Sequence, residues 1–299
     1  MTTIRASLVI GLFCLGPTTA DSQTVNVGRG DIQVRVPSAA TAESQPALIV
    51  LLHGYSHTGQ LRESDWRFGE LVEDYGFVLA YPDGTRESSG NKNTFWNASA
   101  ACCNFQGSDV DDSTYIISII DQLTDLYNID PKRIYLVGHS NGGFMSYRLA
   151  YDHSETIAAI ASVAGAAADA NHPAPPHPVN ILQIHGTADS VIAYEGGNLN
   201  RFEDTTGREI SRAYPGAIET VERWASYNGC TLEKISAMNR DLDRLLPGAE
   251  TNVTQHTENC KNGSSSELWT INGGGHSPDI SDSFSQQIVE WLLAHPKSR

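Results

Sequence analysis

Apolar and polar residues alternate from Thr24 to Val36, the pattern of an antiparallel hairpin with one face turned inward. Apolar runs follow at 47–52, 77–81, 133–137, 157–164, 180–185 and 268–271, and each reads as a strand. Between the runs the period lengthens. Ile116, Ile119, Ile120 and Leu123 share one face of a helix predicted over Asp112 to Tyr127, a second helix is predicted over Ala217 to Tyr227, and Ser283 to Leu293 closes the chain as a third. Strand and helix alternating in this way predict an α/β architecture with a mostly parallel, doubly wound sheet that receives ligands at the carboxyl ends of its strands. Residues 21–299 suit a single domain of this kind.

Residues 1–20 read as a secretory signal peptide, with Arg5 in the basic region, an apolar run from Leu8 to Leu15, and small residues up to Ala20 at the cleavage positions. The run is too short to span a membrane. Cys14 follows the bulky Phe13, which disfavours lipid attachment. The net charge is -15, and -16 without residues 1–20, which hold one Arg and no acid. Nucleic acid and anionic membranes are therefore poor partners, and a soluble, exported monomer is expected. Four cysteines remain in the mature chain, and in an exported protein an even number reads as disulfides with three open connectivities. Cys230 and Cys260 bracket a polar segment expected to be mobile, which gains most from a staple, about 3 kcal/mol on the chain-entropy model. Cys102 and Cys103 then either form a ring with each other or stay reduced. No histidine stands at ligand spacing near either pair, so no zinc site is expected.

The candidate chemistry begins at Arg133-Ile134-Tyr135-Leu136-Val137-Gly138-His139-Ser140-Asn141-Gly142-Gly143, where an apolar strand runs into G-x-S-x-G and then into helical spacing at Phe144, Met145, Tyr147, Arg148 and Leu149. A bare G-x-S-x-G also fits an idle glycine-rich turn, but a strand before it and a helix after it are the context of a nucleophile elbow. A serine hydroxyl needs a base to take its proton and a carboxylate to orient that base. One apolar strand ends in His185-Gly186-Thr187-Ala188-Asp189, and the last ends in Gly273-Gly274-Gly275-His276. The chain order Ser140, Asp189, His276 is that of the α/β-hydrolase triad.

Ten histidines compete for the base. His53, His139 and His185 sit beside a glycine or the elbow and read as packed, hydrogen-bonded rings; His57, His153, His172, His177, His256 and His295 fall in polar loops or chain ends. Only His276 follows the last apolar strand and precedes a closing helix. Asp204 and Asp279 lie in later loops and compete with Asp189. The backbone N–H of Asn141 is one expected oxyanion donor, and that of Tyr55, after Leu52-His53-Gly54, is the second, with Ser56 as the alternative. A short Pro-rich loop, Asn171 to Pro178, stands where lipases insert a lid, so an open cleft is expected. The polar and aromatic segment Gly84 to Gly107 is expected to wall it, with Trp96 offering a ring to the substrate.

These residues resemble the secreted esterase family that includes polyhydroxybutyrate depolymerases and feruloyl esterases. The resemblance covers most of residues 45–295 and rests on Leu52-His53-Gly54, Trp96-Asn97 with Cys102-Cys103, Val110-Asp111-Asp112, Ile129-Asp130-Pro131-Lys132-Arg133, Gly138 to Gly143, His185 to Asp189, Tyr194-Glu195-Gly196-Gly197 and Gly273 to His276. It implies the triad Ser140, Asp189 and His276, no metal or organic cofactor, and a substrate that is a bulky or polymer-borne ester: feruloyl or acetyl groups on plant polysaccharide, or a hydroxyalkanoate polyester. A serine peptidase on the same fold and a non-catalytic carbohydrate-binding or adhesion protein are the alternatives. Ser277 and Pro278 follow His276 where the family often has a tryptophan two residues on. His139 and Gly275 stand where tannase-like relatives carry cysteines. Asp111 and Asp112 are expected to cap a helix rather than hold a metal.

Overall fold

The computed structural model describes residues 20–41, 43–168, 172–199 and 212–298. Residues 1–19 of the segment expected to be a signal peptide, Asn171 and Asp204 lie outside them. The first hairpin forms as read, with β1 (Asp21–Val25) antiparallel to β2 (Ile32–Val36). The apolar runs become β3 (Ala47–Leu52) and β4 (Phe77–Ala80). Two short strands, β5 (Thr85–Arg86) and β6 (Thr94–Phe95), pair within the 84–107 segment. Then come β7 (Ile134–His139), β8 (Ala159–Val163) and β9 (Asn180–Gly186). A ribbon of β10 (Gly196–Asn198) and β11 (Ala213–Pro215) precedes β12 (Ile235–Arg240), β13 (Thr251–His256) and β14 (Ser266–Ile271).

The main sheet has ten strands in the order β1-β2-β4-β3-β7-β8-β9-β14-β13-β12. From β4 to β14 every neighbouring pair is parallel. The predominantly apolar character of these strands follows from this burial on both faces. In β3, Leu48, Val50 and Leu52 enter one core cluster while Ala47, Ile49 and Leu51 enter the other. The first cluster also takes Ile116, Ile119, Ile120 and Leu123 of α3 (Asp112–Tyr127), after α1 (Gly59–Trp66) and α2 (Val72–Tyr75), and Phe144 and Met145 of α4 (Asn141–Asp152). Trp224 joins it from α5 (Ala217–Tyr227); Phe284, Ile288 and Leu292 of α6 (Phe284–Leu293) fill the opposite cluster. Asp111 caps α3, its carboxylate accepting the Thr114 N–H at 3.0 Å.

One expectation is corrected. The segment between Cys230 and Cys260 is not a mobile loop, because β12 and β13 extend the sheet antiparallel beyond β14. Its polarity reflects a half-exposed edge: Thr251 and Val253 point inward while Asn252 between them faces solvent. Cys230, just past α5, is bonded to Cys260, just before β14, which ties the extension at its base.

Candidate active site

β7 runs directly into Ser140, held at φ 52° and ψ -115° as α4 begins. A non-glycine residue is rarely found there, and the surrounding backbone enforces it. A Cβ on Gly138 would collide with the Gly142 carbonyl, and one on Gly142 with those of Leu52 and His53, so only glycine lets strand, turn and helix approach this closely.

The loops after β9 and β14 bring the other two candidates to the serine. The Ser140 hydroxyl lies 3.0 Å from His276 Nε2, and His276 Nδ1 lies 2.8 Å from Asp189 Oδ2. The second carboxylate oxygen of Asp189 accepts the N–H groups of Val191 at 2.8 Å and Ile192 at 2.9 Å. Burial pushes the Asp189 carboxyl upward, but bonds from His185 and His276 outweigh it and hold the group well below the usual carboxylate range. Asp279 is instead paired with Arg244 at 2.5 Å.

Two other strand-end histidines, His139 and His53, are held in structural bonds. His139 Nε2 donates to the His276 carbonyl at 3.0 Å and fixes the backbone of that residue. Its ring is buried, and burial drives its pKa well down. His53 Nδ1 donates to Gly54 O at 2.7 Å and its Nε2 accepts the Gly84 N–H at 2.8 Å. Burial lowers its pKa to about 4.

At the mouth of β3, the Ser56 N–H is taken by Thr94 O at 2.8 Å, while among the described residues no acceptor lies against the Tyr55 N–H. Asn141 is the first residue of α4, where a backbone N–H has no partner within the helix. The Tyr55 hydroxyl donates to Glu87 at 2.6 Å and accepts from Asn93 at 3.0 Å, so the residue bearing the candidate donor is anchored.

Trp96 departs from the expectation of a substrate-facing ring. It is 0% exposed, its indole N–H donates to His53 O at 3.0 Å, and the Asn141 side chain brackets its backbone through bonds of 2.7 and 3.0 Å. The ring is buried because it joins β3 to the elbow. The cleft beside Ser140, about 590 Å³, is bounded instead by Tyr55, Phe105, Ile192, Leu199, Tyr214 and the bonded pair Cys102-Cys103 through Cys103. Phe105 and Cys103 belong to the 84–107 segment, which thus contributes a wall with other residues than Trp96. Buried Asp112 moors that segment, accepting the Asn97 N–H at 2.7 Å and the Thr85 hydroxyl at 2.9 Å. Phe105, Leu199 and Tyr214 carry no motif that singles them out in sequence. A larger concavity, about 640 Å³, is lined by Arg35, Glu63, Arg67 and Glu73 and includes none of the three candidates. Among the described residues no cluster of His, Cys, Asp and Glu is arranged to hold a metal, and no helix is long and apolar enough to cross a membrane.

Residues 35–203 match the phospholipase/carboxylesterase family. Feruloyl esterase B of Piromyces equi is 31% identical over 247 residues, 81% of this chain and 42% of that protein. The putative esterase NocK of Nocardia uniformis subsp. tsuyamanensis is 28% identical over 248 residues, 79% of this chain and 66% of its own length. The bifunctional acetylxylan esterase/xylanase XynS20E of Neocallimastix patriciarum is 33% identical over 180 residues, 58% of this chain and 24% of that protein. The chain thus spans less than two thirds of the length of each of these relatives. The solved acetyl xylan esterase from Aspergillus awamori superposes with a TM-score of 0.59 at 16% identity, covering 91% of this chain and 99% of its own. The shared fold is the α/β-hydrolase fold.

Proposed function

Because the chain belongs to the phospholipase/carboxylesterase family, we propose that it is an exported, serine-dependent carboxylic ester hydrolase acting on feruloyl or acetyl esters borne on plant polysaccharide. The observation that carries this reading is the hydrogen-bonded row Ser140, His276, Asp189 opening onto the cleft. His276 Nε2 takes the Ser140 proton as the oxygen attacks the ester carbonyl, and Asp189 stabilises the imidazolium. The N–H groups of Tyr55 and Asn141 hold the oxyanion, each worth about 3 kcal/mol of barrier. Collapse expels the alcohol, which takes the proton from His276. Water, deprotonated by the same imidazole, then attacks the acyl-serine and releases the acid and Ser140.

The names of the relatives support an aromatic or acetyl acyl group, and the aromatic and aliphatic lining of the cleft suits a flat acyl chain. A hydroxyalkanoate polyester draws support only from the sequence motifs. Product analysis on feruloylated xylan, acetylated xylan and an aliphatic polyester film is the test. Release of ferulate or acetate is expected; release of hydroxyalkanoate alone would move the substrate to polyester, and cleavage of peptides without esters would overturn the reading.

A further inference from the structure

We propose that His185 is a positioning residue for the acid of the triad: its Nε2–H, fixed as a donor by a buried chain running through Gln183 and Tyr147, keeps the Asp189 carboxylate turned to His276. The proposal rests on the triad reading above.

The chain can be followed atom by atom. Gln183, buried in the middle of β9, lies 2.8 Å from Gly165 O through its Nε2. A carbonyl only accepts, so this contact settles which end of the amide is nitrogen. The amide oxygen accepts the Tyr147 hydroxyl at 2.9 Å, and the second amide hydrogen points at His185 Nδ1, 3.1 Å away. His185 Nδ1 is therefore an acceptor, and the proton sits on Nε2. That nitrogen faces two acceptors, Ile192 O at 2.8 Å and Asp189 Oδ2 at 3.2 Å, which share its hydrogen.

Asp189 thus has four donors around a carboxylate with no exposed side-chain surface: two backbone N–H groups on Oδ1, His276 and His185 on Oδ2. A desolvated charge needs such compensation, and among the described residues no Lys or Arg is paired with it. The other titratable groups facing this assembly are Tyr194, edge-on to His185 at 5.7 Å, Tyr214, Tyr147 behind Gln183, and His139, 5.1 Å from the His276 ring. A string of polar side chains in a core strand costs desolvation unless every member is satisfied. This string is satisfied, and it ends on the acid.

The experiment combines two variants with one measurement on the unaltered protein. His185→Leu removes the donor, and His185→Gln keeps an amide N–H at the place of Nε2. With an activated ester, His185→Leu should lower kcat about 10- to 100-fold, the order found when the hydrogen-bond partners that orient metal-ligating histidines and carboxylates are removed, with KM little changed. The acid limb of its kcat/KM profile should move to higher pH, because a carboxylate with one fewer donor holds the His276 imidazolium more strongly. His185→Gln should recover most of kcat and return the limb. Nitrogen NMR of the wild-type protein should show His185 with Nε2 protonated and Nδ1 bare; this needs no turnover, so it stands apart from whether esters are the substrates. An Nδ1–H tautomer at His185, a glutamine variant as impaired as the leucine variant, or a leucine variant with full kcat and an unmoved limb would overturn the proposal. If the leucine variant does not fold, the glutamine variant and the tautomer decide it.

Discussion

Trp96→Ala is expected to damage the fold and to reduce activity toward small and bulky esters alike. Removing a fully buried tryptophan costs about 3–5 kcal/mol, from lost apolar burial and the cavity left behind. The His53 carbonyl, which now accepts the indole N–H, is left without that partner, adding about 1 kcal/mol. A loss of about 4–6 kcal/mol is a large share of the 5–15 kcal/mol typical of folded proteins. At about 2–4 °C per kcal/mol, the midpoint should fall on the order of 10–20 °C. The same residue joins the strand bearing the Tyr55 donor to the elbow bearing Ser140, through its ring on one side and its backbone bonds to Asn141 on the other. Loosening that junction misplaces the oxyanion donors for every ester. Thermal unfolding, with kcat/KM for p-nitrophenyl acetate and for a feruloyl ester, checks both parts. An unchanged midpoint, with KM raised only for the feruloyl ester, would refute the reasoning and return the ring to the substrate.

Asp189→Asn should lower turnover by roughly 10³ to 10⁴, because the amide favours the wrong His276 tautomer and cannot stabilise its cation; Asp279→Asn, at the surface pair with Arg244, should leave kcat nearly intact. Replacing Cys230 and Cys260 by serine should destabilise the protein by roughly 3–4 kcal/mol, read from denaturant unfolding, and non-reducing peptide maps should show these two residues linked. His53 binds its proton less readily in the fold, at about 4, than in the unfolded chain, at about 6.5. Its contribution is therefore full above that unfolded value and shrinks as pH falls toward 4, so unfolding free energy should decline across this window; a stability profile flat from pH 7 to 4 would contradict the burial of its neutral ring.

The parallel strands were legible because both faces of β3, β7 and β9 are covered, which leaves predominantly apolar runs, and α3 because its stripe from Ile116 to Leu123 keeps a helical period. α1 was not, since Gly59–Trp66 has no apolar stripe and is held by its Thr58 cap and its packing. β12 and β13 were missed for a related reason: half-exposed edge strands rich in Ser, Thr and Asn read as loop. In the site, strand-end position singled out Ser140, Asp189 and His276. The fate of Trp96 was hidden because it depends on Asn141, distant in sequence and adjacent only in the fold. His185 looked like one more packed ring; its link to Asp189 is set by Gln183 and Tyr147, which no motif marks.

The most direct test of the central claim is labelling with an acyl-mimicking phosphonate, followed by peptide mapping, alongside ester hydrolysis by Ser140→Ala. The hydroxyl is needed for covalent chemistry, and its loss should leave the fold intact, so the wild type should carry one phosphonate on Ser140 and the folded variant should lose nearly all hydrolysis. A label on another residue, or an alanine variant that keeps more than about a few per cent of activity, above the residue left by binding and oxyanion donors alone, would contradict Ser140 as the nucleophile.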